Sequence, residues 1–137
     1  MASFVLKDAE VVVNAQDLSI YVLSVTLNYN GDMEDASAMG TNSRIRLSGL
    51  IDWSVDVTFK QDFAASAVDA TLFSLVGGDA VTITVMANKT TGVGATNPRF
   101  SGSAVLESYT PIAGGVGELS KATASFQSSG DLSRLVA

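Results

Sequence analysis

Asp52 and Asp56 are the residues most open to a chemical reading, because an alternating run sets both on the same side of one strand. Paired carboxylates hydrolyse glycosides when they stand ~5 to 9.5 Å apart. At about 3.3 Å per residue these two are roughly 13 Å apart, too wide for either hydrolytic geometry. Asp32, Glu34 and Asp35 offer hard oxygens to a cation such as calcium, but their spacing is not that of an EF-hand and the run supplies too few ligands alone. They read as a solvated acidic loop. Gly114, Gly115 and Gly117 resemble a phosphate cradle only superficially: no Lys-Ser/Thr pair follows, and the next segment alternates like a strand, which makes a hairpin turn of them. Asn88-Lys89-Thr90 has the form of a glycosylation sequon, read as chance where no secretory leader precedes it, and no Ser-x-x-Lys spacing occurs. With no cysteine and no histidine, the chain has no disulfide, no thiolate or imidazole metal site and no Ser-His-Asp triad. No catalytic constellation emerges, and the expectation is a protein that is not an enzyme and uses no cofactor or metal.

The elements that carry these residues are mostly strands. Ile45, Leu47, Gly49, Ile51, Trp53, Val55, Val57 and Phe59 alternate with Arg44, Arg46, Ser48, Asp52, Ser54, Asp56, Thr58 and Lys60, predicting one long half-buried strand bent at Gly49. Tyr21, Leu23, Val25, Leu27 and Tyr29 repeat the pattern, Val81, Ile83 and Val85 predict a third strand, and 100–109, 119–127 and 132–136 three more. Ala65, Val68, Leu72, Leu75 and Val76 fall on one helical stripe, predicting a helix over 64–76 with Asp62 as cap and Gly77-Gly78 as stop. Residues 31–43, 89–98 and 110–118 read as loops, the first long enough to be mobile or ordered by a partner. Mainly β structure with one flanking helix follows, as a sandwich or open barrel in a single domain over residues 1–137.

The 137 residues suffice for one core. A hydrophobic fraction of 47% against only 16% charged residues excludes disorder. The longest uncharged stretch, 18–31, is too short and polar for a membrane helix. The opening Met1-Ala2-Ser3-Phe4-Val5-Leu6-Lys7-Asp8 lacks the pattern of a secretory signal, so the mature chain is expected to start there. Fourteen acidic against eight basic residues give a net charge of -6, the wrong sign for holding phosphates. So few charges leave an exterior suited to subunit contact, and long alternating strands with exposed edges are an aggregation liability in a monomer but an asset in a ring.

The order of features resembles the major tail tube proteins of long-tailed bacteriophages with non-contractile tails. The likeness rests on Leu47-Ser48-Gly49-Leu50-Ile51-Asp52-Trp53-Ser54-Val55 and on Phe59-Lys60-Gln61-Asp62-Phe63 running into the predicted helix. It continues through Phe100-Ser101-Gly102, Tyr109-Thr110-Pro111, Gly115-Val116-Gly117-Glu118-Leu119, Phe126 and Gly130-Asp131-Leu132. The resemblance implies a tail-tube-type β-sandwich or barrel whose copies form hexameric rings, the rings stacking into a hollow tube that conducts the genome into the host. It implies a virion protein made in the bacterial cytoplasm, with itself as principal partner and tape-measure, tail-tip and tail-terminator proteins as others. DNA would pass without specific binding, and no membrane insertion is implied.

Under that resemblance residues 44–60 and 19–30 are candidates for the lumen wall, with Asp52 and Asp56 facing the bore and repelling phosphate. The 31–43 loop would reach the next ring, where Asp32, Glu34 and Asp35 meet basic groups such as Arg44 or Arg46. Two alternatives share the sequence features: the tube of a secretion or contractile injection system, and a capsid-decoration or carbohydrate-binding sandwich. The last usually displays an aromatic platform, whereas Trp53 lies on the apolar stripe and reads as core.

Overall fold

Trp53, Val55, Val57 and Phe59 are all at most 1% exposed, and the residues between them face outward, so period-two patterning has made a strand with one dry face. The computed structural model describes residues 5–136 and sets this strand, β4 (Arg46–Lys60), in a seven-stranded open sheet. The others are β1 (Glu10–Val13), β2 (Gln16–Asp17), β3 (Val22–Asp35), β5 (Val81–Met86), β6 (Arg99–Ala113) and β7 (Lys121–Leu135). Their spatial order is β2-β1-β5-β6-β7-β4-β3, and every neighbouring pair is antiparallel.

One hydrophobic cluster runs from Val11 and Val13 on β1 through Leu106 on β6 and Phe126 on β7 to β4. Trp53 anchors its far end. A Cβ on Gly102 would lie 2.6 Å from the indole ring and 2.9 Å from the Asp131 carbonyl, so only glycine lets the ring approach β6. The indole N–H donates to the Gly130 carbonyl at 2.9 Å, which satisfies its one polar atom.

The same dry face carries the helix. α1 (Val68–Leu72) contributes buried Val68 and Leu72 and continues as a 3₁₀ turn, Phe73–Leu75. It is shorter than the predicted 64–76: Ser66 takes a positive φ of 61°, and the Asp62 carboxylate accepts the Ala64 N–H at 2.8 Å in a turn that precedes the helix. Gly77, at φ 70°, stops it as predicted. The Tyr109 hydroxyl on β6 donates to Asp69 on α1 at 2.8 Å and accepts from the Gln61 side-chain amide at 3.0 Å, pinning helix to sheet. Burial, with a further contribution from Asp69, raises the Tyr109 pKa to about 12.

The class expected from sequence, mainly β with one flanking helix, is the one observed, built as one open sheet. Several boundaries differ. The two strands predicted over 119–127 and 132–136 are one, β7 (Lys121–Leu135), whose pairing with β6 shifts register at the apparent break, between Ser128 and Leu132. β1 and β2 escaped notice because their turn, Asn14-Ala15, has φ of 49° and 67° without the glycine that marks such hairpins. Residues 31–35 are strand where a loop was predicted: Gly31 and Asp32 are turn formers by type, but pairing with β4 overrides that preference, with a bulge between Gly31 and Met33. Gly114 to Gly117 do form the hairpin turn, its Gly115 N–H held by the Glu118 carboxylate at 3.0 Å. Among the described residues no helix is long and apolar enough to cross a membrane.

Candidate functional site

The face of the sheet away from the core is polar over four strands. Ser24, Thr26, Asn28 and Asn30 on β3 stand beside Asp52, Ser54, Asp56 and Thr58 on β4, followed by Thr123, Ser125 and Gln127 on β7 and Ser108 and Thr110 on β6. The register makes this unavoidable: Thr26 opposes Asp56, which opposes Ser125, and Asn28 opposes Ser54, which opposes Gln127. No helix packs there, since the buried residues of α1 belong to the core on the other side. The surface is therefore a wall of hydroxyls, amides and carboxylates, with Val105 opposite Gln127 and with Lys60 and Lys121 at its end.

Asp52 and Asp56 both lie exposed on this wall, as the alternation predicted. Each accepts a hydrogen bond from a β7 hydroxyl, Ser128 to Asp52 at 2.7 Å and Ser125 to Asp56 at 2.8 Å. The serines fix the carboxylates in place while leaving them open to water. Among the described residues no group of acidic side chains has the arrangement of a metal site.

Two strand edges flank the wall. β3 pairs with β4 on one side only, so its other edge has no strand partner among the described residues. β6 pairs with β5 over Arg99–Ala104; beyond that, Val76 bridges to Leu106, and the outer edge of residues 107–113 has no strand partner among the described residues. Long unpaired edges of this kind template pairing with another chain.

The third feature is an arm. β4 pairs with β7 only from Ser54 to Lys60, and the remainder of β4 leaves the sheet with the second half of β3 as a two-stranded ribbon. Its turn occupies residues 36–45. Every residue from 28 to 52 is exposed, including Tyr29, Met33, Leu47, Leu50 and Ile51. An isolated ribbon is marginal in water, and this one presents apolar side chains that none of the described residues covers.

The five residues expected to make contacts between rings, Asp32, Glu34, Asp35, Arg44 and Arg46, all lie on the arm. Asp35 and Arg44 pair with each other at 2.9 Å, and Arg46 sits directly opposite Asp35. The Ser37 backbone N–H first, and Arg44 after it, hold the Asp35 carboxyl below its ordinary pKa. Asp35 and Arg44 are thus already engaged within one subunit, which leaves Asp32 and Glu34 as the acids without an ion pair among the described residues.

Sequence reasoning missed the breadth of the wall. Its signal is present in the run Ser24, Thr26, Asn28, Asn30, the polar alternates of the Leu23, Val25, Leu27 and Tyr29 stripe. It also missed Lys60 and Lys121, which face each other at the last rung of the β4–β7 ladder.

No family model and no curated protein sequence matches this chain. Similar solved structures do exist. A chain from the tail of an empty gene transfer agent particle, determined with six-fold symmetry, is 16% identical with a TM-score of 0.75, covering 98% of this chain and 100% of that one. A chain from the sheath/tube terminator of the PVC extracellular contractile injection system is 12% identical, with a TM-score of 0.75 and coverage of 98% and 97%. Hcp1 from Flavobacterium johnsoniae is 14% identical, with a TM-score of 0.56 and coverage of 92% and 93%. What is shared at these identities is the fold.

Proposed function

We propose that this chain is a structural subunit that assembles through its strand edges into hexameric rings, and that the rings stack into the tail tube of a phage-like particle. The observation that carries the reading is the polar wall of β3, β4, β7 and β6 bounded by two free edges. Joining the β3 edge of one copy to the outer β6 edge of the next makes the wall continuous, and closing the circle pairs both edges that bound it. The six-fold tail of the gene transfer agent, built from a chain of this fold, supports that ring size.

In this reading the wall becomes the lining of a bore. Its hydroxyls and amides present little apolar surface to adhere to cargo, and Asp52 and Asp56 repel phosphate, so DNA moves past without the ion-releasing contacts that would retain it. The role is mechanical instead of catalytic. Tape-measure, tail-tip and terminator proteins are the further partners this reading carries, with the assembled particle as its place of work and the bacterial cytoplasm as its place of synthesis. A tube conducting effector proteins is the second reading, favoured by the likeness to chains of a contractile injection system.

Assembly of the purified protein tests the proposal. Negative-stain electron microscopy is expected to show hollow tubes of uniform diameter, and deletion of residues 32–39 to leave soluble subunits or rings that do not stack. Unimpaired tubes from the deletion variant would remove the arm from the stacking contact. Tubes carrying Asp52→Lys and Asp56→Lys should retain added DNA at low salt where wild-type tubes do not; equal retention would take the two carboxylates out of the bore.

A further inference from the structure

Lys60 and Lys121 are opposed on neighbouring strands, exposed, and without an ion pair among the described residues. Like charges placed directly opposite one another weaken a sheet, so this rung is unfavourable for the isolated subunit. The acids nearest in the chain do not neutralise it: Asp62 accepts the Ala64 N–H at 2.8 Å, and Glu118 accepts the Gly115 N–H at 3.0 Å. Exposed apolar groups lie on the chain segments that meet at the same tip. Phe63, Ile112 and Leu119 are 64%, 74% and 54% exposed, gathered there because the Gln61 N–H donates to the Ser120 carbonyl and its side-chain amide to that of Pro111.

The opposite end of the same strand has the reciprocal composition. Fourteen residues of β4 place the arm about 46 Å from the lysines at strand spacing. There Leu47 and Ile51 are 60% and 63% exposed, and Glu34 stands directly across from Leu47 on the same face. Asp32 approaches Gly49 from the bulge, its Cβ 3.3 Å from where a Gly49 Cβ would stand. Arg44 is held by Asp35, and Arg46 lies opposite that same acid.

We propose that the Lys60–Lys121 tip is the receptor for the Asp32–Glu34 arm of a second copy of this chain, Leu47 and Ile51 of the arm covering Phe63, Ile112 and Leu119 of the tip. The proposal rests on the tube reading and adds the surface that receives the arm. Charge complementarity selects the partner: one patch is basic and apolar, the other acidic and apolar. Because they occupy opposite ends of one strand, the contact is head-to-tail, which propagates instead of closing into a dimer.

Charge reversal with rescue tests the pairing. Lys60→Glu with Lys121→Glu, and separately Asp32→Lys with Glu34→Lys, should each give subunits with wild-type circular dichroism. Each should need at least about tenfold more protein to form tubes, since like charges set against one another across a contact oppose association. An equimolar mixture of the two variants should polymerise at the wild-type concentration. Wild-type assembly by the lysine variant alone, or failure of two folded variants to rescue each other, would overturn the pairing. Carbodiimide cross-linking of mixed light and heavy isotope-labelled wild-type tubes reads the contact without substitution, and should join a Lys60 or Lys121 peptide of one chain to the Asp32–Glu34 peptide of another. Wild-type tubes lacking that link would overturn the docking while leaving the tube reading intact; wild-type protein that never assembles would overturn the tube reading and this proposal with it.

Discussion

The two halves of β4 have the same pattern and opposite surroundings. From Trp53 to Phe59 the odd-numbered residues are buried to 1% exposure or less; Leu47 and Ile51, continuing the same stripe on the same face, are 60% and 63% exposed. Gly49 on the stripe and Leu50 on the other face interrupt the alternation between them, but the apolar stripe itself resumes in register on both sides. What changes is the neighbour: β7 and the helix cover the first half, and only β3 accompanies the second. An apolar stripe thus specifies that a face is to be covered, and the fold decides whether the cover comes from the same chain.

Substitutions separate the two halves. Trp53→Ala should have the largest effect on the subunit, about 3–5 kcal/mol of folding stability, because it empties a packed site and leaves the Gly130 carbonyl without its donor. Urea unfolding measures it; a loss under 1 kcal/mol would mean that the buried half does not hold the core together. Gly102→Ala comes next, at about 1–3 kcal/mol, since its new methyl meets the indole ring and the Asp131 carbonyl, neither free to yield. A smaller effect is expected from alkaline pH. Tyr109 is held neutral, its pKa raised above the ordinary 10.0 to about 12, so its contribution is complete below pH 10 and lost as the pH rises through about 12. Tyr109→Phe should flatten the stability profile between pH 10 and 12; an unchanged slope would assign the alkaline loss to other groups. Leu47→Ser with Ile51→Ser should change subunit stability by no more than about 0.5 kcal/mol, these side chains being in water already, and yet prevent tube formation. A large fall in subunit stability from that pair would place the arm stripe against its own chain and abolish the contrast.

Much of this was legible in the residues. Alternation located β4, the first part of β3 and the side on which Asp52 and Asp56 stand, and Gly77 marked the helix end. The helix start was hidden because Ser66 adopts a left-handed conformation that its type does not advertise. The arm was hidden for a related reason: Gly31 and Asp32 favour turns locally, and only pairing with residues 46–51, which no local rule contains, draws them into a strand. The free edge of β6 depends on where β5 stops, a matter of topology. The opposed lysines depend on register in the same way.

A cryo-electron microscopy map of the assembled wild-type protein tests the central claim most directly. The account predicts a hollow tube with Asp52 and Asp56 turned into the channel and the β3 edge of each subunit hydrogen-bonded to the outer β6 edge of its neighbour. A tube with the polar wall on its outer surface, or a protein that stays monomeric at every concentration, would contradict it.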